Sequence, residues 1–214
     1  MPKNNRHEKA DTVATAKLPV DKPGTTIKKS RPFQINNLTC YWEQKDTLME
    51  EGTMDVIQLK DHKTHRSLLN HIECCSKYGF DFASPDNFMD VNFDGFHDFL
   101  IRSYGSTAEN EVTNIYLFDN KAKRFVYSEE LSDNGIGTDT VGRKLITSSF
   151  GRDFQVTKTH HFDASGKVTY TEVMTEYSKS IEGTEFPVEY KKYEKIVGCE
   201  VVETKTDSVI YTEK

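Results

Sequence analysis

The chain of 214 residues carries 28 Lys or Arg against 34 Asp or Glu, a net charge of −6 with 29% charged side chains, and it is long enough for one domain with a sizeable core. The charge is unevenly placed: residues 1–31 hold eight basic and three acidic side chains, which leaves 20 basic and 31 acidic residues for 32–214. So acidic a domain repels a phosphate backbone, which excludes nucleic acid as a partner and favours a cation or a basic protein.

Residues 1–31 are expected to form a disordered basic tether. Leu18, Val20 and Ile27 are isolated, and Pro19, Pro23, Gly24 and Pro32 interrupt any period. Such a segment buries too little apolar surface to offset its ordering entropy. The opening Met1-Pro-Lys-Asn-Asn-Arg6 lacks the hydrophobic centre of an export signal, and we read it as what remains once a signal is removed. No apolar run reaches the length that spans a bilayer, so no transmembrane segment is expected.

Residues 32–214 read as one all-β domain. Val, Ile, Thr, Tyr and Phe recur in short runs separated by turn residues. Phe33 to Leu38 starts by alternating, and only Thr64 to Cys75 suggests a short helix, with ambiguous apolar spacing. Phe99 to Tyr104 is a strand. Val112 to Phe118 and Phe125 to Tyr127 form a hairpin across a six-residue connection, Asp119 to Arg124. The glycine-bearing stretch Asp133 to Asp139 is a surface connection or a binding loop. Phe154 to Phe162 turns at Asp163-Ala-Ser-Gly166 and returns as Lys167 to Tyr177, with Gly166 at the left-handed position of a bulged turn. Pro187 to Val197 and Cys199 to Tyr211 make a last pair, jointed at Gly198. Antiparallel hairpins of this kind build a sandwich, a barrel or a propeller-like array.

One nonapeptide carries chemistry: Asp90-Val-Asn92-Phe-Asp94-Gly95-Phe96-His97-Asp98. Oxygen-bearing side chains recur at every second position, a glycine stands sixth and a carboxylate ninth. Calcium takes six to eight hard oxygen ligands, and short Asp and Asn side chains wrap it well. Gly95 permits a sharp turn, and the carbonyl of Phe96 is expected to serve as a main-chain ligand. Three carboxylates on one small loop repel one another without a cation. Position twelve is Ile101 and the flank is a strand, so this is not a helix-flanked EF-hand; Asp98 replaces the missing Glu as the closing carboxylate. The expected ligands of a Ca2+ ion are therefore Asp90, Asn92, Asp94, Phe96 and Asp98. An acidic Asx turn without metal is the competing reading.

From Ser84 to Ser132, this loop leads into Asp98-Phe-Leu-Ile101, then a Tyr-Leu-Phe-Asp strand end, then Arg124-Phe-Val-Tyr127, then Glu130-Leu-Ser132. That order resembles a family of exported bacterial calcium-binding proteins, and the likeness extends over roughly residues 80–180. The family's best-understood relatives inhibit lysozyme-type peptidoglycan hydrolases and act as immunity proteins against toxins delivered by contact-dependent secretion. The resemblance implies an incomplete propeller-like all-β fold, metal positions at Asp90, Asn92, Asp94, Phe96 and Asp98, and a periplasmic or outer-envelope location. It also implies a basic peptidoglycan hydrolase or toxin as partner, and no enzymatic activity. The alternative function is a surface adhesion or recognition module with calcium-rigidified loops.

Other sites are weaker. His62, His65, His71 and Cys74 have zinc-like spacings but no fourth-ligand framework. His160 and His161 are adjacent, so on a strand they face opposite sides. No nucleophile elbow or phosphate-binding glycine loop occurs. Cys40, Cys74, Cys75 and Cys199 fit either two disulfides or reduced, buried thiols.

Overall fold

The computed structural model describes residues 25–49, 52–69, 72–74, 87–103, 112–180 and 188–209. They form three antiparallel sheets, none closed into a barrel, in an all-β, sandwich-like arrangement. The first sheet contains β1 (Thr25–Lys29), β2 (Phe33–Ile35), β3 (Leu38–Met49), β4 (Gly52–Asp61) and β5 (Ile72–Cys74), ordered β1-β3-β4-β5 with β2 beside β3. The second follows chain order through β6 (Phe88–Met89), β7 (Asp98–Ser103), β8 (Val112–Asp119) and β9 (Arg124–Asp133). The third is a six-stranded meander of β10 (Gly135–Asp139), β11 (Lys144–Phe150), β12 (Phe154–Phe162), β13 (Val168–Lys179), β14 (Val188–Val197) and β15 (Glu200–Val209).

The second sheet is the middle layer, and the two-residue period of its strands explains how. On β7, Phe99 and Ile101 enter one core while Leu100 packs against the other; on β8, Phe118 and Tyr116 go to the first, Ile115 and Leu117 to the second. The first core adds Cys40, Trp42, Ile57 and Leu59 from β3 and β4. The second adds Val91, Leu131, Leu145 and Phe162. Strands buried on both faces read as continuous apolar runs, as in Phe99-Leu-Ile101 and Ile115-Tyr-Leu-Phe118. A main-chain bond from the Phe125 N–H to the Leu68 carbonyl, 2.7 Å, ties the first sheet's last connection to β9.

Several expectations change. The tether expected through residue 31 ends sooner among the described residues, because Thr25–Lys29 pairs with β3 in register; Lys28 and Lys29 find Asp46 and Glu43 across the strands. Thr64 to Cys75 is not a helix where it is described: it holds a turn, then the strand Ile72–Cys74. Its Asp61 carboxylate accepts the Lys63 and Thr64 amides, which commits the chain to a hairpin. Asp133 to Asp139 is not a loop, since Gly135–Asp139 pairs with β11. The connection at Asp119 to Arg124 is shorter than six residues, as both named residues belong to strands. The Asp163 to Gly166 turn and the Gly198 joint stand where the sequence places them, with φ of 80° at Gly166 and 61° at Gly198.

Candidate metal centre

The loop from Asp90 to Asp98 links β6 to β7 and lies where all three sheets meet. Its main chain folds around its own side chains. Asp90 accepts the amide of Asp94 on Oδ1 at 3.1 Å and that of Gly95 on Oδ2 at 2.9 Å. Asn92 Oδ1 accepts the same Asp94 amide at 3.2 Å, and Asp94 Oδ1 accepts the Phe96 amide at 2.9 Å. One N–H thus gathers oxygens of Asp90 and Asn92. Gly95 turns the chain at φ 88°.

Asp98 occupies a different place from the other acids. It is fully buried, with Oδ2 accepting the Val91 amide at 3.0 Å and Oδ1 the Phe118 amide at 2.8 Å. It thereby pins the loop's first turn to β8. Burial pushes its carboxyl up to about 7, against those two amide bonds, and repulsion from Asp94 and Asp90 adds to the rise. Among the described residues, no three His, Cys, Asp or Glu side chains gather closely enough to hold one ion. Asp90, Asn92 and Asp94 are tied together through the Asp94 amide, and Asp98 lies close enough to Asp94 and Asp90 for their charges to act on its carboxyl. Phe96 turns its ring into the first core, 5.8 Å from that of Phe118. His97 is exposed.

Three supports hold the loop, and none was evident from the sequence. Asn36, in the β2–β3 turn, accepts the His97 amide and donates to the His97 carbonyl, both at 2.7 Å. That pair imitates a β-bridge from the first sheet. From the third sheet, Arg143 Nη2 donates to the carbonyls of Phe93 at 2.5 Å and Asp163 at 2.6 Å. Its guanidinium lies 5.7 Å from the Phe93 ring, which packs edge-on against Phe162. Phe93 has φ 62°, unusual for a bulky residue, and these contacts offset the strain. Finally Gly166 presses on the loop: a Cβ there would lie 2.6 Å from Asp94 Cβ and 3.1 Å from Asn92 Nδ2. The Asn36-Asn37 pair was the available signal for the first support, since Asn tolerates the left-handed conformation of a two-residue hairpin turn.

The donor chemistry of the loop fits a hard cation. Carboxylate, amide and main-chain oxygens dominate it, and Asp98 is a buried acid with two acidic neighbours and no basic one in the loop. The histidine alternatives are otherwise occupied. Tyr41 lies edge-on between His62 and His65 and meets His65 Nδ1 at 3.2 Å. His71 and Cys75 lie outside the described residues. Cys40 and Cys199 are free, and burial raises the Cys40 thiol to about 12, where it stays protonated. Among the described residues no helix is long and apolar enough to cross a membrane. The chain matches no family model, no curated protein and no solved structure.

Proposed function

We propose that this chain is a non-catalytic, calcium-stabilised β protein of the bacterial envelope that binds a basic peptidoglycan hydrolase or toxin and blocks it sterically. The observation that carries the reading is the position of the 90–98 loop, braced by Asn36 from one sheet and by Arg143 and Gly166 from another. An ion held by Asp90, Asn92, Asp94, the Phe96 carbonyl and Asp98 would offset the burial, and the lesser repulsion from Asp94 and Asp90, that raise the Asp98 carboxyl. Ion binding would then couple to the assembly of three sheets rather than to one turn. The acidic excess of residues 32–214 attracts a basic enzyme and speeds its association.

Two measurements test the two halves. Saturating calcium, at about 100 times its dissociation constant, stabilises by about 2.7 kcal/mol, or roughly 5–10 °C in melting temperature. Chelation reverses that gain, and Asp94→Ala abolishes the response. A melting curve indifferent to calcium and chelator rejects the metal. Separately, the calcium-loaded protein is expected to slow peptidoglycan hydrolysis by basic lysozyme-type enzymes at stoichiometric concentration. Unchanged hydrolysis, with the calcium response intact, leaves the adhesion module as the reading.

A further inference from the structure

The third sheet ends in a strand with one side unpaired among the described residues. In the order β10-β11-β12-β13-β14-β15 the last member joins β14 alone, so the main-chain groups of every second β15 residue face away from the sheet. Their phase shows at Ser208, whose amide donates to Asp207 Oδ1 at 2.8 Å. A neighbouring carboxylate caps an outward amide that no further strand receives. Thr204, Thr206 and Ser208 therefore present their N–H and C=O groups to the edge. The edge is regular from Glu203 onward. Pairing with β14 runs unbroken from Lys195↔Glu203 to Glu189↔Val209, while Val202, just before, has no opposite residue. That bulge bends the strand and sets where regular pairing stops.

Charge on this strand selects what can lie beside it. Glu203, Lys205 and Asp207 alternate in sign along one face. Across the sheet, Glu176, Lys191 and Asp207 stand in one row and read minus, plus, minus, with Lys191 paired to Glu176. A cation continues that row best, and β15 itself supplies one. Laid antiparallel to a second copy about a two-fold axis at Thr206, each Lys205 stands opposite the other copy's Asp207. Lys205 already holds Glu203 of its own strand at 2.7 Å, so in the pair it lies between two carboxylates. An axis at Lys205 sets that lysine on itself and Glu203 on Asp207, and an axis at Asp207 opposes two carboxylates; like charges directly opposite are destabilising. An axis at Thr204 matches Glu203 with Lys205 but carries the pairing straight into the Val202 bulge. Only at Thr206 do charge and regular backbone agree. There the two Thr206 main chains exchange hydrogen bonds and Thr204 meets Ser208 on either side, about six main-chain bonds in all.

We propose that the protein forms a homodimer by antiparallel pairing of β15 with β15 of a second copy, which joins two six-stranded sheets into one. The contact is self-complementary and closes on itself, so assembly stops at two copies. So short an edge is smaller than a standard interface, which sets the expected dissociation constant at about 10–100 µM. The inference needs neither calcium nor a hydrolase. Sedimentation equilibrium follows the intact chain up to about 1 mM, with calcium and with chelator. Salt is held at about 0.15 M, where a Debye length of about 8 Å screens the overall acidic repulsion but spares directly opposed groups. Lys205→Asp and Asp207→Lys each set like charges opposite and should weaken the dimer roughly tenfold or more. The double variant exchanges the charges and should restore the constant to within about threefold. Both positions are exposed, so neither substitution touches the core. In a Cys199→Ser chain, Thr206→Cys should link two copies on mild oxidation and Thr204→Cys should not. A chain that stays monomeric at about 1 mM overturns the proposal. So does a mass beyond the dimer, indifference to the single reversals, failure of the double variant to restore, or a link through Thr204→Cys in place of Thr206→Cys.

Discussion

Asp61, Asp119 and Asp139 each turn the chain in the same way. Each Oδ1 accepts the amides two and three residues on, and the residue four on has positive φ: His65 at 58°, Lys123 at 51° and Arg143 at 52°. Hydrogen bonds from the turn hold the Asp61 carboxyl below its usual range, from Thr64 first, and likewise that of Asp119, from Ala122 first. At the fourth turn, Asp163 accepts from Ser165 and Lys167, and Gly166 supplies the left-handed residue. The glycines separate conformational strain from contact. Gly95→Ala meets open space, so only its positive φ is penalised, by about 1–2 kcal/mol. Gly166→Ala adds overlap with Asp94 and should lose about 1–3 kcal/mol more by urea unfolding; equal losses would mean that the turn does not press on the loop. Asn36→Gly keeps the backbone conformation and removes both bonds to His97, an expected loss of about 1–3 kcal/mol. The Gly166 turn was legible in the sequence because glycine signals positive φ. The connection at Asp119 was legible from its flanking strands, but the left-handed residues of the other three turns were not, since a basic residue or histidine at that position sends no such signal.

At the scale of elements, alternation was legible where strands are long, and the β12–β13 hairpin stands where periodicity and Gly166 put it. The Thr64–Cys75 and Asp133–Asp139 segments were misread because short apolar runs and glycine pairs do not reveal their strand partners. Strand β12 also carries a polar group into the interior. His160 is 1% exposed, its Nδ1 lies 3.1 Å from Thr171 Oγ1, and its Nε2 has no partner among the described residues. His161, on the opposite face, reaches Glu172 at 2.7 Å and stacks on Tyr170. Burial drives His160 down to about 4; Lys158 and His161 push the same way, and Asp133 from β9 opposes them. A depressed histidine means that the unfolded chain binds the proton more tightly. Its contribution is whole above about pH 6.5 and is lost as pH falls toward 4. The urea midpoint should therefore fall between pH 7 and 4.5, and His160→Gln should make that decline shallower. Parallel declines in the two proteins would remove His160 from the account.

The molecule as a whole is a stack whose middle sheet is covered twice, while the last strands of the third sheet are covered little. Phe99 and Ile115 are fully buried, yet Val201 and Val202 of β15 expose 52% and 56%. The apolar runs Phe99-Leu-Ile101 and Ile115-Tyr-Leu-Phe118 mark strands buried on both faces, but no run says which sheets bury them. The Asp90–Asp98 pattern was legible as a whole, whereas its bracing by Asn36 and Arg143 required the sheets to be brought together. Local stability follows apolar cover, so β15 amides should exchange with deuterium at least ~100-fold faster than those of β8, through openings that leave the middle sheet folded. Calcium sharpens the contrast if the loop ties the sheets together. Asp98 accepts the Phe118 amide of β8, so an ion held by the loop would stabilise β7 and β8 directly, and opening of β15 need not disturb that loop. Added calcium should slow exchange in β7 and β8 and leave β15 unchanged. Equal protection of β15 would mean that the third sheet opens only with the rest. Protection confined to the loop amides would mean that the ion orders a turn and nothing beyond it.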